Sequence, residues 1–473
     1  MSAHADCIRA LSRSLGAERL LTSREDVAPY ETGARYGAGC AAFVVRPETT
    51  AEVSAAVRLC VQHGIPLVVQ GANTGLVGAA SPDGSGQHAV LAMDRMTKIL
   101  EVDTANRSAL VSAGLRLSAL NARLAENGLI FPIDLGADPS IGGMVATNTG
   151  GARFLRYGDV RRSVLGLEVV LADEAGTIVN LGGGIRKNNA GMDIKQLFIG
   201  TGGAFGIVTK AELEVQPMPR HSATALVVPA SRAEVGALLL AAETAFGELL
   251  SSFEGMSRNA MDCVLSNIPN ARNPFHPESV PEYAVLIEIA SSGDHIDGQA
   301  WLADRMQRFL EEALTHGAIV NAVTDHPEKL WAIRHSISEA LRHEGRILGL
   351  DIAMRRGDLA RFHAEAAALL RQDFPWLKIC DFGHGGDGGD HFNLIWPSRD
   401  APAYDEAVAL KARGALYDLV VRRYGGSFSA EHGLGPHNQK YYDAYTAPDI
   451  KRISREIAAL FSPNKLLGRV LLG

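Results

Sequence analysis

The sequence predicts an α+β protein built from two domains. Three observations lead there. Strand-like and helix-like segments alternate through both halves of the chain, glycine gathers in discrete clusters between them, and the texture shifts to longer helices after about residue 218. With 473 residues the chain exceeds what one ordinary core holds. Boundaries are expected at 1–217, 218–445 and 446–473, the last a terminal segment returning to the first domain.

In chain order, the helical pattern over 50–63 opens with Glu52 in its first turn and stops at Gly64. A strand-like run, PLVVQ (66–70), follows directly and opens into glycine-rich sequence. Further strand-like runs occupy 109–112 and 165–171, with a helix over 117–127 ending before Gly128. Beyond Met218-Pro219, helices are expected at 231–249, 295–317, 327–345 and 357–372, with a strand at 283–289 among them. The segment 269–281, rich in Pro and Asn, reads as an exposed loop.

Composition excludes several classes. The chain is 47% hydrophobic and 21% charged, which is globular rather than disordered. A net charge of −7 gives no reason to expect nucleic acid or an anionic membrane as partner. No apolar run is long enough for a membrane span, and residues 1–15 lack the apolar core of a secretory signal. The five cysteines (Cys7, Cys40, Cys60, Cys263, Cys380) form no CxxC pair, which argues against a disulfide framework or an iron–sulfur cluster. The cytoplasm is the expected location.

Glycine is concentrated at 71–86, 136–151, 182–206, 383–389 and 425–435. The loop Gly71-Ala-Asn73-Thr74-Gly75-Leu76-Val77-Gly78 directly follows a strand-like run. Such a loop exposes successive backbone N–H groups that bind phosphate oxygens. A second cluster, 138–151, is a candidate for another cradle, and two cradles suit an extended dinucleotide. The sequence Gly200-Thr-Gly202-Gly-Ala-Phe-Gly206 is not the dinucleotide fingerprint GxGxxG, so a Rossmann domain is not expected.

Five segments together resemble the FAD-binding domain of the vanillyl-alcohol oxidase/p-cresol methylhydroxylase superfamily. They are RPETTAEVSAAVRLC (46–60), PLVVQGANTGLVG (66–78), DPSIGGMVATNTGG (138–151), RYGDVRRSVLGLEVVLADEAGTIV (156–179) and FIGTGGAFGIVTKAEL (198–213). The resemblance implies a two-part FAD-binding domain followed by an α+β substrate domain, with the C-terminal segment packed back on the first. It implies that 71–78 wraps the FAD pyrophosphate and that Pro132, Ser140, Gly142, Gly143, Asn148, Gly151 and Ile207 line the rest of the cofactor site. Relatives usually carry Glu-Gly where this chain has Gly202-Gly203.

The second half holds GHGGDGGDHFN (383–393) and GGSFSAEHG (425–433). Two histidines around a glycine-rich turn converge if strands flank the turn, and two imidazoles with a carboxylate are a usual ligand set for a divalent ion with open positions. A 2-hydroxy acid can chelate such an ion through its hydroxyl and one carboxylate oxygen. A base beside it, with His432 the candidate, would take the hydroxyl proton as hydride leaves for the flavin. Residue types alone leave these histidines as ordinary residues of a turn. The assignment rests on the close similarity of both motifs to the D-2-hydroxyglutarate/D-lactate dehydrogenase branch of the superfamily. That similarity implies His384, His391 and Glu431 as ligands to a divalent metal, zinc first and manganese or cobalt as alternatives. It implies Asn393 and His432 as substrate-contacting residues.

The segment LWAIRHSISEALRHEGRILGLD (330–351) resembles the helix that grips substrate carboxylates in that branch. Arg334 and Ser338 match its first two positions, while Gly349 stands where a Lys is usual and Arg346 lies nearby as a substitute. The substrate is thus expected to be D-2-hydroxyglutarate, D-lactate or a similar acid. A non-catalytic flavin-binding subunit or sensor with a structural metal site is the alternative. Electrons are expected to leave for a separate acceptor, an electron-transfer flavoprotein or a quinone, and a homodimer is the expected assembly.

Overall fold

The computed structural model describes residues 3–294 and 298–473. The chain divides into two compact units: one comprises residues 1–150, 159–218 and 431–473, the other 151–158 and 219–430.

The first unit carries two main sheets. In one, Phe43–Val45, Ala89–Ala92 and Leu67–Gln70 run parallel, with Leu20–Leu21 antiparallel at the edge. In the other, Leu100–Asp103, Ser108–Ser112, Ile207–Glu214, Val164–Val170 and Ile178–Leu181 form an antiparallel sheet in that order. The helix predicted at 50–63 spans Thr50–Gln62, because the Thr49 side chain accepts from the Glu52 amide at its start. Gly64, at a φ of 67°, ends it. Its buried face (Val53, Ala56, Val57, Cys60) joins one continuous core with both sheets.

The C-terminal segment belongs to this same unit. Leu67 donates to the Leu466 carbonyl at 2.7 Å and accepts from Gly468 at 2.8 Å, so residues 466–468 run alongside the strand that feeds the first glycine loop.

The second unit is one antiparallel sheet with helices on both faces. Its strand order is Ile319–Thr324, His221–Pro229, Tyr283–Ser291, Leu250–Ser257, Lys378–Gly383, Gly389–Pro397 and Gly345–Leu348, with Asp351–Ala353 also on Gly389–Pro397. Helices Arg258–Asn267 and Pro327–Ala340 cover one face, here called the front, through Met261, Trp331, Phe382 and Ile395. Val235–Phe246 and Gly298–Thr315 cover the rear through Leu238, Met306, Phe253 and Ile287. The helix predicted at 295–317 is observed from Gly298 to Thr315, and residues 295–297 lie outside the described residues. No described helix is long and apolar enough to cross a membrane.

Candidate active site

The sequence 383–393 forms a hairpin. Lys378–Gly383 pairs antiparallel with Gly389–Pro397, and Phe382 lies opposite His391. Strand alternation then decides which residues share a face. Phe382, His391 and Asn393 face the front, as does Asp351, the partner of His391 on the outer strand. The His384 and His391 rings meet there, centroids 5.2 Å apart and steeply tilted. Gly383 adopts a φ of 155°, where a Cβ would fall 3.0 Å from the His391 amide nitrogen, and Gly388 has a φ of 94° where a Cβ would strike the Met354 carbonyl at 2.2 Å. The turn therefore needs glycine at 388.

Arg334 enters the same face from helix Pro327–Ala340 and stacks on the Phe382 ring at 4.8 Å. Its Nε and Nη2 both donate to Glu254 Oε2, at 2.9 and 2.7 Å. The other oxygen of Glu254 accepts from His384 Nδ1 at 2.9 Å. Burial alone would push this carboxyl up, but His384 and Arg334 outweigh it and hold it at about 2. Asn393 is buried and donates to the His391 carbonyl at 3.1 Å. Ser338, a turn beyond Arg334, is exposed.

Arg346 does not stand in for the usual lysine at 349. It pairs with Trp396 and stacks on Tyr404 at 4.3 Å, on the rear face. The strand register places Gly349 opposite Asn393, on the front. The odd offset of three residues between 346 and 349 reverses the face.

Glu431 and His432 open the last stretch of the first unit. Just before them, Ser427 exchanges hydrogen bonds with Ala353, and Ala430 donates to the Asp351 carbonyl at 3.3 Å. The chain thus runs beside the strand Asp351–Ala353, itself the neighbour of the His391 strand, up to the residue preceding Glu431.

In the first unit the three glycine clusters converge. Gly71 lies so close to Ser140 that a Cβ on it would fall 2.1 Å from the Ser140 hydroxyl. Ser140 caps helix Ile141–Thr147, accepting from the Gly143 amide at 3.3 Å, and Gly142 packs on Ala113. Gly200 and Gly202 donate to the Val145 and Ala146 carbonyls of that helix. Gly202 and Gly203 both hold positive φ, 62° and 79°, and a Cβ at 202 would meet Val470 at 2.6 Å. This chain's Gly-Gly is therefore a local packing solution.

The loop itself is shaped by polar ties. Gln70 donates to the Tyr30 and Ala80 carbonyls at 3.0 and 2.8 Å. Asn73, at a φ of 55°, donates to the Thr32 carbonyl at 2.7 Å. Thr74 and Leu76 are half-buried, Gly75 is exposed with open space where a side chain would stand, and Val77 and Gly78 are buried. The Val77 carbonyl accepts from the His437 amide at 3.1 Å. Asn148 is a left-handed helix cap whose amide is used by Asp159 and by the Arg161 N–H. Pro132 and Ile207 are buried. Gly151 begins the short segment assigned to the second unit.

Residues 41–182 match a family described as FAD binding domain, and residues 218–470 match FAD linked oxidases, C-terminal domain. The chain belongs to the FAD-linked oxidases. This FAD-linked oxidase is 34% identical to the mitochondrial D-2-hydroxyglutarate dehydrogenase of Bos taurus, over 98% of this chain and 82% of that one. It is 30% identical to the D-2-hydroxyglutarate dehydrogenase of Xanthomonas citri pv. viticola, over 97% and 95%. Among solved structures, p-cresol methylhydroxylase superposes with a TM-score of 0.75 at 16% identity, over 99% of this chain and 96% of that one. The α+β, two-part fold predicted from the sequence is the fold observed, and the protein is an FAD-dependent oxidoreductase.

The residues present fit both implied groups. The first unit offers an open backbone cradle at Gly75, walled by loops pressed together at Gly71 and Ser140. The front face offers imidazole and carboxylate donors, the set that holds a borderline divalent ion. Sequence reasoning missed Glu254 and Asp351 on this face. It also missed a rear-face cluster of His363, Asp381 and Asp390 that has metal-ligand chemistry. There, however, Arg232 already pairs with Asp381, and His363 Nε2 lies 3.0 Å from Asp390. An entering cation would face the Arg232 charge.

Proposed function

We propose that this FAD-linked oxidase oxidises a D-2-hydroxy acid to the 2-oxo acid, with a divalent ion, zinc before manganese or cobalt, held by His384, His391 and Glu431. The carrying observation is the meeting of two imidazoles on a face that also presents a buried arginine. The names of the relatives support the same substrate class.

Bound FAD would accept the hydride from Cα, and the ion would hold the hydroxyl and one carboxylate oxygen and acidify the hydroxyl. His432, next in the chain to Glu431, takes the hydroxyl proton. Asn393 donates to the carboxylate or to the developing oxyanion. Arg334 spends its Nε/Nη2 edge on Glu254, so it would grip a substrate carboxylate by its Nη1 side. Gly349 opposite Asn393 adds no second cation, which supports D-lactate and similar acids as substrates beside D-2-hydroxyglutarate. A separate electron-transfer flavoprotein or a quinone is the proposed acceptor of the electrons. The cytoplasm is the proposed location, supported by five unbridged cysteines, and a homodimer is the proposed assembly.

The test is an anaerobic flavin-reduction screen against paired D- and L-2-hydroxy acids. Selective bleaching by a D-acid is expected. Bleaching by L-acids alone, or by no hydroxy acid, would overturn the reading.

A further inference from the structure

Glu254 sits on strand Leu250–Ser257, the neighbour of the strand that leads into His384. It is 1% exposed, so its charge has no help from water and must be answered by its neighbours. The answer is divided by oxygen: Oε1 takes His384, and Oε2 takes both Arg334 donors. An ionised carboxylate only accepts hydrogen bonds, so the His384 nitrogen bonded to it carries the proton. That turns Nε2 away from Glu254 and fixes the ring plane. The same carboxylate fixes the Arg334 fork, which Phe382 supports from beneath.

We infer that Glu254 is a positioning residue that orients His384 for a divalent ion and holds Arg334 at a set distance from it. One buried carboxylate thereby ties the metal ligand to the substrate anchor. The inference rests on the metal reading above and deepens it. A carboxylate behind a ligating histidine raises the donor strength of the ring and removes its rotational freedom. A purely structural role would need Glu254 only to neutralise Arg334, and the two roles make different predictions.

The experiment uses FAD-loaded protein stripped of metal by chelation, titrated with zinc against a chromophoric competitor. Glu254→Gln keeps the volume but weakens the hold on His384, and its zinc affinity should fall about 10- to 100-fold with FAD content unchanged. Since Gln would leave Arg334 buried beside a neutral amide, a second pair of variants guards against misfolding. Arg334→Met alone should keep zinc affinity within about twofold of the parent, because the Glu254–His384 bond survives. Adding Glu254→Gln to it leaves no unpaired charge and should show the same 10- to 100-fold loss relative to Arg334→Met. Equal zinc affinity in Arg334→Met with and without Glu254→Gln would overturn the inference alone. A parent protein that takes up no zinc, manganese or cobalt would overturn the metal reading, and this inference with it.

Discussion

The two faces of one hairpin carry two buried charge networks of nearly the same composition. On the front are Glu254, His384 and Arg334; on the rear, Asp381, Asp390, His363 and Arg232. Either would pass as a metal site by residue type. The difference lies in how the charges are matched. On the rear, two carboxylates meet one guanidinium and one imidazole, and Asp381 lies against both Arg232 and His363. The network closes on itself, as a structural clamp between helix Leu359–Asp373 and the strands should. On the front, one carboxylate serves a guanidinium and an imidazole, and a second histidine stands beside the first. Composition therefore nominates both sites, and partner bookkeeping separates them.

The comparison breaks if front-face changes cost stability and rear-face changes cost chemistry. The largest effect expected is on the front: His384→Ala or His391→Ala should lower kcat about a thousandfold, the equivalent of about 4 kcal/mol of lost charge stabilisation. Melting temperature should move little. Stopped-flow flavin reduction with parallel thermal melts checks both. Next, Asp381→Asn on the rear should cost about 3–5 kcal/mol of stability by leaving Arg232 without its buried partner. Its kcat, measured well below the melting transition, should stay within about threefold of the parent.

The same rear-face acid should write its signature in pH. Burial pushes Asp381 up, but the charges of Arg232 and His363 bring it below its ordinary value near 3.8. A carboxyl lowered on folding contributes stability that is complete above that value and lost as pH falls below it. Denaturant melts across the acid range should show a shallower acid limb in Asp381→Asn than in the parent. The smallest effect concerns substrate choice. Gly349→Lys adds a cation opposite Asn393 on the front face, and the ratio of kcat/KM for D-2-hydroxyglutarate over D-lactate should rise about tenfold, the worth of about 1.4 kcal/mol. An unchanged ratio would remove position 349 from substrate recognition.

Much of this was legible in local pattern. A strand-like run opening into glycines located the strand Leu67–Gln70 and the loop that follows it, and glycines between two apolar runs implied the hairpin that brings His384 and His391 together. Glu254 was not legible. It lies 130 residues before His384, and only the order of strands in the sheet makes them neighbours. A lone acid inside the otherwise apolar and small strand LSSFEGMS was the available signal. Arg346 misled for a related reason: proximity in sequence to Gly349 says nothing of face, and strand parity turns it away. Ser338 shares a helical spacing with Arg334 but lies on the exposed side.

What matters most is whether the front face handles substrate through a divalent ion. The direct measurement is anaerobic flavin reduction by a D-2-hydroxy acid in protein exhaustively chelated and then resupplied with zinc. The expected result is a yellow, folded protein whose flavin stays oxidised until zinc returns. Full-rate reduction in protein shown by elemental analysis to be metal-free would contradict it.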